Sequence, residues 1–268
     1  MAQKAAQSWE DQGGKFDPEN IKVYEISPGE YLVTSGSANV ELKPVQQPDG
    51  SVKLEPTMTI AVSASDSPST DSLLGTEDVS PASDSPSTGS LLETEVVSPM
   101  AAPYWQLVDY GCWYVEGFMG WISHCSHGYA LMGETDYNND FLLLEHFATA
   151  KSKYWFWRLH RATIECVKNP SSSPMAWFDW QPRSDQERGQ CQAITLGISA
   201  FGVTLSGTWT ICKEGWDITY YPTEAGRFEN SWYGSADRSE REVAYMIAVT
   251  VPQGGVGVWN LDASYYCW

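Results

Sequence analysis

Hydrophobic and polar positions alternate with a period of two along most of this chain, and that pattern predicts strands. Residues 1–20 are polar and support at most a short helix. The alternation begins at Ile21. Residues 21–26 read as a strand, Ser27-Pro28-Gly29-Glu30 as a turn, and residues 31–34 as the returning strand. Pro28 presets its own φ and Gly29 accepts the positive φ that follows in a type II turn. Residues 40–43 and 52–55 flank Asp49-Gly50, a hairpin signal, and residues 57–63 supply a last strand. The stretch 21–63 is thus predicted to be a small β-meander. A unit of that size has a marginal core, so it should dock on the rest of the chain or on a partner.

The pattern resumes at residue 103. Residues 104–116 are aromatic and strand-like, and 117–133 are Gly-rich and compact. Residues 140–150 (DFLLLEHFATA) fit either a helix with Asp140 as N-cap or a buried strand, because a short apolar run carries no decisive period. Residues 153–168 alternate as a strand. Residues 169–190, with Pro170, Pro174 and Pro182, read as a long polar loop. Strands then follow quickly at 193–201, 203–213, 216–221, 227–233, 242–251 and 256–261, with a closing one at 264–268. Short strands with Gly turns between them predict an all-β fold, an antiparallel β-sandwich or barrel-like C-terminal domain.

Between these regions lies a doublet. ASDSPSTDSLLGTEDVSP (64–81) is followed by ASDSPSTGSLLETEVVSP (82–99), differing only at Asp71/Gly89, Gly75/Glu93 and Asp78/Val96. Such Ser, Thr, Pro and acid-rich sequence cannot bury enough apolar surface to offset chain entropy, so it predicts a solvated linker. The chain then divides into a flexible N-terminus (1–20), a small β module (21–63), a duplicated linker (64–102) and a Trp- and Cys-rich all-β domain (103–268).

Composition narrows the function classes. The formal net charge is −18, with 16 acids against 5 bases in residues 1–102 and 18 against 11 beyond. Such a surface repels nucleic-acid phosphate and anionic lipid. All six cysteines (Cys112, Cys125, Cys166, Cys191, Cys212 and Cys267) follow the linker, and no two are spaced as CxxC. An even count confined to one region predicts disulfides and an oxidising compartment. Sequential pairing is the expectation: Cys112–Cys125, Cys166–Cys191 and Cys212–Cys267. The first residues lack the apolar segment of a secretory signal, and no stretch is long and apolar enough for a transmembrane helix. An extracellular or cell-surface location would then be reached by a non-obvious export route.

Candidate chemistry comes last. His124-Cys125-Ser126-His127 could seed a metal site if both imidazoles reached one ion. Asp136-Tyr137-Asn138-Asn139-Asp140 sets oxygen ligands at alternate positions, as a calcium loop does, but lacks the following Gly and distal Glu of an EF-hand. Glu134, Asp136, Asp179, Asp185 and Glu187 are candidates for a glycosidase carboxylate pair. Ser126 or Cys125 beside His146 or His160 sits in no catalytic frame, so no catalytic residue and no resident cofactor are assigned. The strongest feature is aromatic: 12 of the 13 tryptophans follow residue 103. Trp155, Trp157, Trp177 and Trp180 bracket the long loop with Arg183 nearby, and tryptophans so placed stack on sugars or anchor interfaces. The expected function is an exported non-enzymatic binding protein that engages a protein or glycan surface, with self-assembly open to it. The alternatives are an exported toxin or antimicrobial precursor processed in the linker, and a structural subunit of an extracellular particle or filament.

Overall fold

The structure, a computed structural model, describes residues 1–46, 52–64, 102–220 and 227–268. The doublet beyond Ala64 and the Asp49-Gly50 turn lie outside the described residues. Those described form one α-helix, α1 (Ala2–Asp11), and fifteen strands. Before the doublet come β1 (Lys22–Ser27), β2 (Glu30–Gly36), β3 (Asn39–Gln46) and β4 (Val52–Ser63). After it come β5 (Tyr104–Glu116), β6 (Gly120–Met132), β7 (Asn139–Ser152), β8 (Leu159–Lys168), β9 (Ala176–Gln181), β10 (Gln192–Ala200), β11 (Val203–Ile211), β12 (Trp216–Tyr220), β13 (Arg227–Ala236), β14 (Arg241–Pro252) and β15 (Val256–Cys267). The fold is all-β and antiparallel, with sandwich-like sheets.

Seven strands form one sheet in the order β1-β2-β5-β6-β7-β14-β9, and six form a second in the order β12-β13-β8-β15-β4-β3. The hairpin β10–β11 stands apart. The stretch read as a small β-meander is shared between the two large sheets. β2 pairs with β5, and β4 pairs with β15. Its own core is too small to stand alone, and the later strands complete it. The chain crosses between sheets at Gly36, where Ser37 and Ala38 both donate their amides to the Tyr110 carbonyl at 2.9 Å. Gly36 has φ +116°, and a Cβ there would overlap the Tyr110–Gly111 backbone, so only glycine fits.

The seven-stranded sheet is a middle layer. Leu142, Leu144, His146, Ala148 and Ala150 of β7 face the six-stranded sheet. Phe141, Leu143, Glu145, Phe147 and Thr149 face the opposite way, where Phe147 meets Trp209 of β11 and Phe141 meets Phe201 of the hairpin turn. This explains DFLLLEHFATA: its apolar run is a strand buried on both sides, with Asp140 inside it rather than capping a helix. Each fully buried leucine contributes roughly 1.5–3 kcal/mol. Helix α1 covers the same outer face over β5 and β6. It buries Ala5 and Trp9, and the Trp9 indole donates to the Trp113 carbonyl at 3.3 Å.

Two disulfides form, Cys112–Cys125 and Cys191–Cys212. The first matches the expected pairing. The other two expected pairs do not form: Cys166 and Cys267 are buried free thiols. Cys112 stands directly opposite Cys125 across β5 and β6, and Cys191 and Cys212 lie one step beyond the Gln192–Ile211 pair of the hairpin. Each bond closes a hairpin whose two cysteines are equidistant from the turn. Cys166 instead stands opposite Leu261, and Cys267 opposite Leu159. Burial pushes the Cys166 thiol up to about 12 and the Cys267 thiol to about 11, so both are packing groups.

Candidate functional site

Two turns at one end of the sandwich carry exposed aromatic side chains. Phe118 lies in the β5–β6 turn, and Tyr154, Trp155 and Phe156 lie between β7 and β8. They are 68%, 40%, 69% and 54% exposed. Tyr154 and Phe156 stack 5.3 Å apart with planes 8° from parallel, Phe118 packs 5.7 Å from Tyr154, and Trp155 sets its edge 5.7 Å from Phe156. Lys153–Lys168 was expected to be one strand, but the strand begins only at Leu159. The alternating aromatics before it face solvent because no partner strand covers them. The four rings form a contiguous exposed aromatic patch.

A cavity of about 920 Å³ opens beside these turns, between the two sheets. It lies where β4 leaves β15: their ladder ends at Leu261–Met58. Trp113, Val115, Ile122 and Ile26 supply buried walls, Phe118 and Tyr154 stand at the lining, and Glu30, Glu55 and Asp262 lie along its border. Lys153 also lines it, but its ammonium lies 2.7 Å from Glu116, which Lys4 also meets at 2.9 Å.

Asp262 belongs as well to the open face of the six-stranded sheet. Register places Glu229 of β13 opposite Glu165 of β8, and Glu165 opposite Asp262 of β15. Three carboxylates thus form one row across adjacent strands, with directly opposed Cβ atoms about 5 Å apart. In the next row Thr163 meets Ser231 at 2.8 Å, and in the one beyond, Tyr233 and Tyr266 flank Arg161. Arg161 binds Glu229 at 2.7 Å, and Arg227 binds Glu165 at 2.5 Å. Asp262 is reached by solvent but crowded on its flanks. Burial, with Glu165, Glu55 and Glu229 nearby, raises its carboxyl to about 6 against one opposing backbone hydrogen bond from Ala263. Burial first, then Asp185, also raises Asp217.

The residues singled out in the sequence are spread over the molecule. Trp155 alone joins the exposed patch; Trp157 is half-buried against the core. Trp177 and Trp180 were placed in a loop, but they lie on β9, the edge strand beside β14, opposite Val249 and Ile247. Both are half-buried against the core, with ring centres 6.3 Å apart. Arg183 stacks 4.0 Å over Trp180 and pairs with Asp179. Asp185 accepts the Ile218 amide at 3.0 Å, which ties its loop to β12.

His124 and His127 cannot share an ion. They lie on a strand at odd separation and point to opposite faces. His124 is buried between the sheets, 4.4 Å from the His146 ring and 5.3 Å from Trp113. Burial, then His146, holds its imidazole well below the usual range. His127 faces outward: its Nε2 accepts the Lys15 amide at 2.9 Å, so its Nδ1 donates to Glu145 at 2.7 Å. Asp136 accepts from Asn138 and Asn139, and these bonds lower its carboxyl. Asp140 accepts the Gly254 amide at 2.7 Å. Among the described residues no group of three or more His, Cys, Asp or Glu is placed to hold a metal, so the calcium loop gains no support.

Sequence reasoning passed over Glu165, Glu229 and Asp262, because only strand register makes them neighbours. It also passed over Phe118, although an aromatic between Gly117 and Gly120 in a Gly-rich stretch is a signal of exposure. No protein-family model matches the chain, and no curated protein matches it in sequence.

Proposed function

We propose that this protein is a non-enzymatic binding protein that holds a surface glycan against its aromatic turns. The observation that carries this reading is the set of four exposed rings, Phe118, Tyr154, Trp155 and Phe156, of which Phe118 and Tyr154 line a cavity of about 920 Å³. Flat rings offer stacking faces to the C–H faces of sugars, and the adjoining carboxylates accept hydrogen bonds from hydroxyls. The net charge of −18 opposes nucleic acid and anionic lipid. The two disulfides support an oxidising, extracellular setting. A glycan array probed with the full chain and with a Trp155→Ala/Phe156→Ala variant tests the reading. The expected result is a bound glycan class that the variant loses at least tenfold while its melting temperature is unchanged. Equal binding by the two proteins, or no glycan bound, overturns it.

One observation favours a second reading, glycoside hydrolysis. Asp262 holds its proton to about pH 6 beside the opposed carboxylate of Glu165, and an acid paired with a carboxylate is the arrangement a glycosidase uses. New reducing ends from the bound glycan, abolished by Glu165→Gln, would establish it; their absence removes it.

A further inference from the structure

The outermost strands of the two large sheets each carry a charge, a proline or a bulge: Lys22 and Glu25 on β1, Asp179 on β9, Glu41, Lys43 and Pro44 on β3, and Asp217 with a bulge on β12. Such devices keep an open sheet edge from pairing with another chain. The hairpin β10–β11 has none of them. The twenty residues from Gln192 to Ile211 include no charged side chain and no proline, and the two strands run through nine pairs without a bulge. An uncharged run is ordinary in a strand buried on both faces, but here Thr195, Ser199, Thr204, Ser206 and Thr208 are exposed. Thr210 of β11 donates its amide to the Glu242 carboxylate, away from β10. By antiparallel alternation the backbone groups of Thr195, Gly197 and Ser199 on β10 also point out of the hairpin, and no strand among the described residues pairs with them. Glu242 occupies part of the β11 edge, so β10 is the edge without charge. We propose that β10 is a self-association edge: two copies of the chain pair β10 with β10, antiparallel about a twofold axis near Gly197, and join their hairpins into one sheet. In that register Thr195 of one copy faces Ser199 of the other, and the same patch serves both copies, as a closed twofold contact requires. Copies with a net charge of −18 repel one another, and this stretch lets them meet with no charge brought into contact.

This inference goes beyond the glycan reading and does not rest on it. Pairing along one short edge buries less area than a standard interface, so the dimer should form only as concentration rises. The test is sedimentation velocity of the full chain over a wide concentration range, with amide hydrogen exchange at its two ends. The expected result is a reversible shift from monomer to dimer, in which the amides of Thr195, Gly197 and Ser199 exchange more slowly as dimer forms. Sodium chloride should tighten the dimer by screening the repulsion between acidic copies. Thr195→Pro removes one outward donor at an edge position that tolerates proline, and should raise the dissociation constant at least tenfold. Thr195→Glu/Ser199→Glu, which leaves the backbone untouched, should abolish the dimer with the melting temperature of the monomer unchanged. Val23→Glu, an exposed site on the β1 edge, should leave the dimer intact. A monomer at every concentration overturns the inference. So does a dimer that survives the glutamate pair, one that Val23→Glu abolishes, or one that salt dissociates.

Discussion

The two large sheets are built from the same alternating strands, yet they treat polar residues in opposite ways. The seven-stranded sheet is covered on both faces, by the six-stranded sheet on one side and by α1 and the β10–β11 hairpin on the other. Among its polar side chains, His127 is held between Glu145 and the Lys15 amide and His146 Nδ1 lies 2.6 Å from the Tyr245 hydroxyl, while His124 Nδ1 and His146 Nε2 are buried without a hydrogen-bond partner. The six-stranded sheet leaves one face to water. There it carries a row of three carboxylates, Glu229, Glu165 and Asp262, in which Arg161 pairs with Glu229 and Arg227 with Glu165. A covered face holds few ionised groups, each among packed side chains; an open face carries carboxylates and their arginine partners side by side.

The contrast breaks most visibly in the core. Leu144→Ala in the covered sheet should destabilise by about 3–5 kcal/mol through lost burial and a residual cavity. Val167→Ala on the open face should change stability by no more than about 0.5 kcal/mol. Urea unfolding of both variants measures the difference, and comparable losses would mean that the middle layer is not packed as described.

A smaller effect belongs to the buried hydroxyl. Tyr245→Phe leaves His146 Nδ1 without its partner and removes a hydrogen bond to the Cys166 thiol. The expected loss is about 1–3 kcal/mol. Tyr266→Phe, the same chemical change on the open face, should be near neutral in the same unfolding assay. Equal effects would show that the inter-sheet hydroxyl is hydrated.

The smallest effect sharpens the comparison by its sign. The folded chain raises Asp262 from 3.8 to about 6, so the folded state takes up that proton more readily than the unfolded one. The contribution of this group is therefore most favourable below about pH 4 and is lost as pH rises through 6. Asp262→Asn should melt at a higher temperature than the parent at pH 7.5, and the gap should close by pH 4. Parallel melting curves across that range would remove the crowding of Asp262 and its neighbours. A residue that weakens the fold at neutral pH while lining a cavity fits a role in binding.

Much of the strand pattern was legible in the chain itself. The alternation from residue 192 onward locates β10 to β14 within a few residues and reads the single strand β15 as two, 256–261 and 264–268, while the Gly-rich stretch after residue 116 makes the Cys112–Cys125 bridge readable. Other features were not. Trp177-Phe178-Asp179-Trp180 lies in a polar, Pro-rich stretch that looks like a loop, and becomes a strand only because β14 offers it an edge. Tyr154-Trp155-Phe156-Trp157 alternates like a strand and becomes a turn for want of a partner. The Cys191–Cys212 bridge was hidden by pairing the cysteines in sequence order, Cys191 with Cys166, although Cys191 and Cys212 are symmetric about Phe201-Gly202.

The sequence by itself determined that this is an all-β, antiparallel, disulfide-containing chain with a strongly acidic balance, because side-chain period, turn residues and charge are local properties. Only the tertiary structure decided which strands became neighbours. It divided residues 21–63 between two sheets, set Glu229, Glu165 and Asp262 in one row, turned His124 and His127 to opposite faces, and opened a cavity beside the aromatic turns. Pairing and register arise from burial shared between distant segments, and no local pattern carries that information.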